Sequence, residues 1–328
     1  MEKTADTIMQ CLNLKTTDPF FNLATDEYLL KQNRKSYLIL YVNDRCLVTG
    51  KHQIAHMEAD TRFTAEHDIP VIRRISGGGT VFHDRGNLNF TFILNSESGR
   101  QVDFERYTLP VIRFLSSLGV NAKFEGRNDL KIGGLKISGN AEHVFRNRVL
   151  HHGTLLFDTS LELLKGSLRK DKGNYITRAV RSNPSTVVNL KDILRNAGNQ
   201  FQSIYDFRSS MLQWMIKAFN GSEEIQLSGE ESEKIRELAD SKYRTWDWNY
   251  AYGPDYQYVN IFEFAGIECS CNISVRNGII EECQIRGHQA FERVGKKFEG
   301  YRHMTEDMKE IIEKEGSLFS GFDIYNFF

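Results

Sequence analysis

The sequence predicts an α+β protein in which a sheet-rich core with interspersed helices is followed by a smaller strand-rich unit. Strand-like and helix-like segments alternate irregularly, without the βαβ rhythm of a doubly wound parallel sheet. The 328 residues are enough for about two ordinary domains, at ~150 residues for each. Hydrophobic residues make up 40% of the chain and charged residues 26%, as in globular proteins, which excludes a disordered chain.

The amino-terminal half alternates between helix and strand patterns. Asp18-Pro19 predicts a helix start, because Asp offers a capping oxygen and Pro lacks only an N–H that the first turn leaves unused. Strands are expected within 36–50, as SYLILYV and CLVTG, and over 87–94, where Leu and Phe alternate with polar residues. A helix is expected over 103–118, stopped by Gly119. Strands follow over 129–157.

The carboxyl-terminal half is first helical and then strand-rich. Helices with apolar residues at three- and four-residue spacing are expected at 161–168, 205–219 and 230–239. A strand-rich meander starts near Tyr256, with a hairpin turn at Asn277-Gly278, and a final helix is expected over 304–314. We place the domain boundary so that residues 1–245 form one domain and residues 246–328 a second.

Charge and cysteine usage exclude several classes of function. The 42 Lys+Arg and 43 Asp+Glu residues leave a net charge of -1, which gives no electrostatic reason to expect broad nucleic-acid binding. No stretch approaches the ~20 apolar residues of a membrane span, and residues 1–10 lack the apolar segment of a signal peptide. The five cysteines form no CxxC pair, which is typical of a reducing compartment. We therefore expect a cytoplasmic protein without nucleic-acid or membrane partners.

The most informative stretch is RRISGGGTVFHD at 73–84. Three consecutive glycines remove every Cβ, so backbone N–H groups can surround an anion. Arg74, directly before them, supplies positive charge and paired donors. The stretch matches neither the Walker A pattern nor GxGxxG. It predicts a phosphate-binding loop, and a plain tight turn is the alternative.

Two further stretches carry chemistry. Lys136 lies in a strand-like run whose neighbours Leu135 and Ile137 should face the other way, so its ammonium points to the opposite side of the sheet. An ordinary exposed lysine is the alternative. In His151-His152, adjacent strand residues face opposite sides and make a poor metal chelate. We therefore expect one structural and one site-facing histidine.

Together these stretches resemble the lipoate–protein ligases. Their family pattern consists of R-R-x-S-G-G-G-x-V-F-H-D, G-N-x-x-F-T-F, G-R-N-D-L, K-x-S-G-x-A and H-H-G-T-L-L. All five motifs stand here in order, at 73–84, 86–92, 126–130, 136–141 and 151–156. Residues 18–24 and 246–249 are also similar to the family. Several ordered motifs make chance agreement very improbable.

The resemblance implies a fold and an activity. The fold would be a mixed or antiparallel sheet flanked by helices, as in biotin ligases and class II aminoacyl-tRNA synthetases, with a small α+β carboxyl-terminal domain. The activity would be an ATP- and Mg²⁺-dependent ligase that converts lipoate to lipoyl-adenylate. The lipoyl group would then pass to a lysine of the lipoyl domains of 2-oxoacid dehydrogenase E2 subunits or of the glycine-cleavage H protein. Family precedent indicates a monomer.

The resemblance also assigns roles by position. Lys136 matches the catalytic lysine. The residues expected to bind ATP are Arg74, Gly77, Gly78, Gly79, Thr80, Val81, Phe82 and Lys136. The residues expected to contact lipoate or the adenylate are Ser76, His83, Asn128 and His152. Asp129 is the candidate Mg²⁺ ligand, because Mg²⁺ binds few protein carboxylates besides phosphates; a carboxylate that caps its own turn is the alternative.

Two larger groups of side chains have both a structural and a functional interpretation. The apolar residues near the loop would line an acyl tunnel or simply form core, and they are Val81, Phe82, Phe90 and Phe92. The basic residues that would steer an acidic lipoyl domain, or form a solvated loop, are Lys165, Arg169, Lys170, Lys172, Arg178 and Arg181.

Three rival functions do not fit the sequence. An octanoyl or lipoyl transferase without ATP activation needs a reactive cysteine, and no cysteine lies between 47 and 268. The Gly-Arg-Gly-Arg-x-Gly-Arg loop of biotin ligases is absent. A non-catalytic binder of lipoylated proteins has no use for a phosphate loop beside a lysine.

The chain departs from the family pattern at Gln53-Ile54, where Gln-Asn is usual, and at 183–186, an insertion that leaves the role of Arg181 unassigned.

Overall fold

The structure is a computed structural model that describes residues 8–32, 34–95, 103–126 and 128–328. Residues 1–7, most of the stretch on which the signal-peptide expectation rests, and Arg127 of the GRNDL motif lie outside the described residues. The strands are β1 (Gln10–Asn13), β2 (Tyr37–Val42), β3 (Cys46–Thr49), β4 (Val71–Arg73), β5 (Val81–His83), β6 (Asn87–Asn95), β7 (Lys123–Glu125), β8 (Asp129–Ile132), β9 (Leu135–Phe145), β10 (Arg148–Leu156), β11 (Tyr175–Ile176), β12 (Glu223–Ile225), β13 (Tyr256–Phe264), β14 (Ile267–Arg276) and β15 (Ile279–Arg286). The helices are α1 (Pro19–Gln32), α2 (Ala55–Glu58), α3 (Thr61–Glu66), α4 (Phe104–Ser117), α5 (Leu161–Ser167), α6 (Leu190–Asn196), α7 (Ile204–Ala218), α8 (Gly229–Leu238), α9 (Gln289–Phe298) and α10 (Thr305–Lys314).

A large mixed sheet forms the centre of the described chain. Its strand order is β12-β1-β2-β6-β10-β9-β8-β7. The strands β12, β1 and β2 run parallel, and the other neighbouring pairs are antiparallel. The expected mixed sheet is therefore confirmed, as is the α+β class. The wider kinship with biotin ligases and class II synthetases stays a prediction.

Helices cover both faces of this sheet. α4 and α7 pack on one face and bury Leu88, Phe90 and Phe92 of β6. α1 packs on the opposite face. The polar residues of β6 that alternate with these apolar residues are also at most 2% exposed, and they are Asn87, Asn89 and Thr91. A strand that looks amphipathic in sequence is thus buried on both sides, with its polar side toward α1.

A small second sheet holds the glycine-rich stretch. Its order is β4-β3-β5, with β3 parallel to β4 and antiparallel to β5. The glycine-rich stretch connects β4 to β5, so both of its ends are fixed by pairing to β3. β2 and β3 are consecutive along the chain but belong to different sheets.

The carboxyl-terminal unit is an antiparallel sheet, β11-β13-β14-β15, packed against α9 and α10. Asn277 and Gly278 have φ values of 48° and 73°, which confirms the expected hairpin turn. The core of this unit also contains Ile54, Met57 and Tyr175 from earlier in the chain. The division into residues 1–245 and 246–328 stays a prediction, and apolar packing continues across it. None of the described helices has the length and apolar character needed to cross a membrane.

Candidate active site

The glycine loop, residues 77–79, is shaped by the buried Arg74 side chain. Arg74 Nη2 donates to the carbonyl oxygens of Gly77 at 2.6 Å and Gly79 at 2.8 Å. Burial lowers the pKa of Arg74 to about 10, so the guanidinium stays cationic at neutral pH. Gly78 has a φ of 86°, a left-handed conformation that favours glycine. Because the carbonyls turn toward Arg74, the loop amides are left for another partner: within the described part of the chain, the N–H groups of 77–79 make no hydrogen bond.

A triangle of side chains closes the end of the glycine loop. The Thr80 N–H donates to Ser182 Oγ at 2.8 Å, and its hydroxyl donates to Gln53 Oε1 at 2.9 Å. Gln53 Nε2 in turn donates to Ser182 Oγ at 3.1 Å. Since Gln53 is fully buried, the exit of the loop is tied to the protein interior.

Lys136 approaches the same region from β9. Ile137 has no partner on β8, so β9 carries a bulge at this point. As a result Lys136 and Gly139 share a face of the strand. Lys136 Nζ lies 3.3 Å from the position that a Cβ on Gly139 would take, and Val81 Cγ1 lies 3.8 Å from it. Val81 directly follows Thr80, so the lysine and the end of the glycine loop converge around Gly139.

The ammonium of Lys136 is held by a carboxylate. Lys136 Nζ lies 2.8 Å from Asp129 Oδ1, and the two side chains are 21% and 17% exposed. The backbone is held as well: Lys136 N donates to Thr186 O at 2.9 Å, and Val188 N donates to Lys136 O at 3.0 Å. Lys136 is therefore an anchored, mostly buried side chain.

His152 is the histidine that joins the loop to the sheet. Its Nδ1 lies 3.3 Å from Asp26 Oδ2 and its Nε2 lies 2.6 Å from Ser76 Oγ. The same Asp26 oxygen accepts hydrogen bonds from the hydroxyls of Tyr41 and Thr91. A carboxylate acceptor at Nδ1 places the N–H there, so Nε2 accepts from Ser76.

This network extends to the glycine loop through Ser76 and Arg74, and at its other end one oxygen of Asp26 has no hydrogen-bond partner among the described residues. Ser76 Oγ accepts from Arg74 Nε at 2.9 Å. Asp26 is 1% exposed, and its Oδ1 has no hydrogen-bond partner among the residues described. His151, by contrast, faces the other side of the sheet, where its Nδ1 lies 2.9 Å from Glu142 Oε1. The two histidines thus face opposite sides, as their adjacency on a strand predicts.

His83 presents a buried donor. Asn22 Nδ2 donates to Asn43 Oδ1 at 2.8 Å, which orients the Asn43 amide so that its Nδ2 donates to His83 Nδ1 at 3.0 Å. The ring proton then sits on Nε2, an atom that is buried without a partner among the described residues. Burial, reinforced by Arg74 and His152, lowers the pKa of His83 to about 3, so the ring is neutral at physiological pH.

Arg73 ties the loop to the 246–249 segment. It is fully buried, and its side chain donates to backbone carbonyls of two segments, residues 50–53 and residues 248–249. The accepting residues are Gly50, Lys51, Gln53, Trp248 and Asn249. The second family-like segment at 246–249 is thus a structural support for the strand that precedes the glycine loop.

Comparison with known proteins identifies the family. The lipoyl protein ligase A/B catalytic domain family matches residues 18–216. Lipoate–protein ligase 1 of Staphylococcus aureus is 35% identical over 318 residues, 96% of this chain and 94% of that protein. The chain belongs to the lipoate–protein ligase family. Lipoate–protein ligase LplJ of Bacillus subtilis is 34% identical to this ligase over 279 residues, 84% of this chain and 83% of that protein.

Solved structures share the fold of the ligase. A bipartite lipoate protein ligase from Thermoplasma acidophilum, described with its E2 lipoyl domain, has a TM-score of 0.63 at 26% identity and covers 74% of this chain and 96% of its own. A lipoate–protein ligase A bound with ATP has a TM-score of 0.61 at 25% identity over 74% of this chain and 98% of its own. Plasmodium falciparum LipL1 in complex with lipoate has a TM-score of 0.64 over 93% of this chain and 94% of its own, at 23% identity, a likeness of fold alone.

Most of the sequence-predicted site residues of the ligase lie in one connected region. Arg74, Ser76 and His152 are linked to the glycine loop by hydrogen bonds, while Lys136 and Asp129 face its end. Asn128 donates to Asn140 O at 2.6 Å, a contact that holds the turn into β8. The roles of these residues toward substrates stay predictions.

For three of the four apolar residues near the glycine loop, the structure favours the core interpretation over the acyl tunnel. Phe90 and Phe92 pack on the α4 and α7 face of the sheet, opposite Thr91 and His152, so for them the core interpretation is the right one. Phe82 packs in a separate apolar cluster with β4 and α2. Of the four apolar residues considered, Val81 alone lies beside Lys136.

The basic run is divided by its own contacts. Lys172 pairs with Glu58, Arg169 donates to His56 O and Ala59 O, and Arg181 donates to Tyr175 O. These cations therefore support the fold. Arg181 is nevertheless exposed, as are Lys165, Lys170 and Arg178.

Sequence reasoning missed several residues of the site. They are Asp26, Tyr41, Asn43, Gln53, Glu58 and Thr91. A signal existed for some of them: Asp26 lies within the predicted first helix, and Thr91 belongs to the polar side of β6. The partners named above lie 15 to 129 positions away along the chain, so only the folded structure shows the connection.

Proposed function

We propose that the ligase activates lipoate with ATP to lipoyl-adenylate and then transfers the lipoyl group to a lysine of a lipoyl domain or of an H protein. The observation that carries this proposal is the convergence of the Lys136 ammonium and the end of the glycine loop around Gly139. An anion-binding loop beside a positioned cation suits a reaction between a carboxylate and a nucleotide phosphate. The ATP-bound family member supports the same co-substrate.

In the first step, a carboxylate oxygen of lipoate attacks the α-phosphorus of ATP. An oxygen–phosphorus bond forms, the bond to the pyrophosphate oxygen breaks, and no net proton transfer is needed. Two anions must meet and negative charge moves to the leaving group, so positioning and cations account for most of the catalysis. Lys136 would bridge the carboxylate and the α-phosphate, and the loop amides would hold phosphate oxygens.

In the second step, the acceptor amine attacks the acyl carbon, the bond to the AMP oxygen breaks, and the amine loses a proton. The T. acidophilum relative was described with its E2 lipoyl domain, which supports such an acceptor. Lys165, Lys170 and Arg178 would steer an acidic partner, because they are exposed and form no ion pair with another described residue. The chain would act as a monomer in the cytoplasm.

Mg²⁺ fits this site only as an ion held mainly by phosphate oxygens. Asp129 Oδ1 is paired with Lys136, and among the described residues no group of three His, Cys, Asp or Glu side chains is arranged to bind a metal. Mg²⁺ commonly takes one or two carboxylates plus substrate phosphates. Asp129 is the residue that would supply the protein ligand, and the ion would neutralise phosphate charge.

The buried cysteines argue against a thioester mechanism. All five are free and buried. Burial raises the pKa of the Cys11 thiol to about 12 and that of Cys46 further, so neither offers a thiolate at neutral pH.

Mass spectrometry of an acceptor protein tests the proposal. The pure ligase is incubated with ATP, lipoate and an apo lipoyl domain, and the acceptor is weighed; parallel reactions contain octanoate or biotin. A lipoyl mass increment that requires ATP, together with pyrophosphate release, is expected. Modification without ATP would refute the adenylate route, and a biotinyl increment would refute the proposed substrate.

A further inference from the structure

Glu58 is a fully buried carboxylate whose contacts lead to the nucleotide loop. Its Oε2 accepts from the Ser182 hydroxyl at 2.5 Å and from Lys172 Nζ at 2.6 Å, and its Oε1 accepts from the Ser182 N–H at 3.2 Å. A buried carboxylate is costly unless donors compensate its charge. Two of the three donors come from Ser182, so Glu58 and Ser182 form one unit.

Glu58 determines which way the Ser182 hydroxyl points. A serine hydroxyl has one hydrogen to donate and two lone pairs to accept. Because the hydrogen goes to Glu58, both lone pairs face the glycine loop, where they accept from the Thr80 N–H and from Gln53 Nε2. Glu58 therefore acts on Thr80 through one intervening atom.

The segment that begins at Ser182 also reaches Lys136. We call residues 182–188 the strap. Near its far end, Thr186 O accepts from Lys136 N and Val188 N donates to Lys136 O. The strap is thus fastened to the glycine loop at one end and to the lysine strand at the other. Lys136 has separate anchors in its strand pairing and in Asp129.

We propose that Glu58 is a positioning residue for nucleotide binding, acting through Ser182 to hold the strap and the Thr80 amide in place for ATP. This inference rests on the proposed function and adds to it a residue outside every family motif quoted above. The effect falls on ATP binding and adenylation. Transfer from preformed lipoyl-adenylate changes little, because pyrophosphate is absent in that step and Lys136 keeps its own anchors.

Three variants separate this role from a general structural one. Ser182→Ala removes the hydroxyl, and Ser182→Thr, the matched control, retains it. Glu58→Gln keeps the size of the side chain but removes its charge and one acceptor. Loss of a charge-assisted hydrogen bond in this relay should weaken ATP binding about ten- to hundredfold. Since Glu58 acts through Ser182, the double variant Glu58→Gln/Ser182→Ala should bind ATP no more weakly than the single variant with the larger loss.

The test measures four quantities for each variant. They are the Kd of a non-hydrolysable ATP analogue by calorimetry, the KM and kcat for pyrophosphate release, and the rate of transfer from supplied lipoyl-adenylate. We expect Ser182→Ala and Glu58→Gln to raise Kd and the KM for ATP at least tenfold, with transfer within about threefold of wild type. Ser182→Thr should restore ATP binding.

Other outcomes overturn the inference. Unchanged analogue binding in Ser182→Ala would remove the role of the relay. Tighter binding in that variant would show that Ser182 occupies the nucleotide's own place. Equal losses in binding and transfer would indicate general damage. If the wild-type ligase binds the analogue but forms no lipoyl-adenylate, the proposed function fails, and the analogue Kd values still decide the role of Glu58.

Discussion

A methyl group at Gly50 should disable the glycine loop from outside the motif. A Cβ at this position would lie 2.1 Å from Gly78 O and 3.1 Å from Gly78 C. Real Cβ contacts stay beyond 3.0 Å, so the two backbones must separate by about 0.9 Å. Because the clash is with backbone, no side-chain rotation relieves it. A displacement of about 1 Å in a positioned site costs on the order of a hundredfold in rate.

The assay is pyrophosphate release from lipoate and ATP by Gly50→Ala, with kcat and the KM for ATP measured separately. We expect kcat/KM for ATP to fall about a hundredfold, while overpacking lowers the free energy of unfolding by roughly 1–3 kcal/mol. Gly229→Ala is the control, since a Cβ there meets nothing within 4 Å. Activity of Gly50→Ala within twofold of wild type would refute the claim that Gly50 positions the loop.

The remaining predictions concern Lys136, Gly139 and a buried histidine. Lys136→Ala should cut pyrophosphate release by about a hundred- to a thousandfold, and Lys136→Arg should restore little of it because a guanidinium is broader and planar; near-normal release in the alanine variant would remove its role. Gly139→Ala places a Cβ 3.3 Å from Lys136 Nζ and should slow adenylation about tenfold at unchanged stability; an unchanged rate would contradict the geometry. Burial lowers the pKa of His303 to about 4. Below about pH 6.5 the unfolded chain therefore binds more protons at this residue than the folded chain does. The free energy of unfolding decreases as the pH is lowered, by up to ~1.4 kcal/mol per unit. Urea titrations from pH 7 to 5 should show a shallower fall for His303→Gln than for wild type or the exposed-site control His52→Gln; equal slopes would refute it.

Elements with strong local signals were predictable from the sequence. The helix expected over 103–118 is observed as Phe104–Ser117, with Asp103 accepting from Arg106 N at its start. Gly119 closes it with a φ of 75°. Capping and helix ending depend on neighbours within one turn, so the sequence itself contains them.

Two features are missing from the sequence-based prediction, for different reasons. α9, whose buried residues include Phe291, Val294 and Phe298, is absent from the predicted helices although their spacing is helical. The bulge at Ile137 is likewise invisible, because an unpaired residue is defined only against the partner strand. Without that bulge, Lys136 and Gly139 would face opposite sides of β9.

The sequence by itself determined the family, the α+β class, the glycine loop and the candidate lysine, since these depend on residue types in local order. The tertiary structure decided what each side chain touches. It turned Arg74 toward the loop carbonyls, buried Phe90 and Phe92 on the far face, and linked Glu58 to Thr80 through Ser182. Hydrogen bonds between residues more than a hundred positions apart depend on how sheets and helices pack, and no local pattern records that packing.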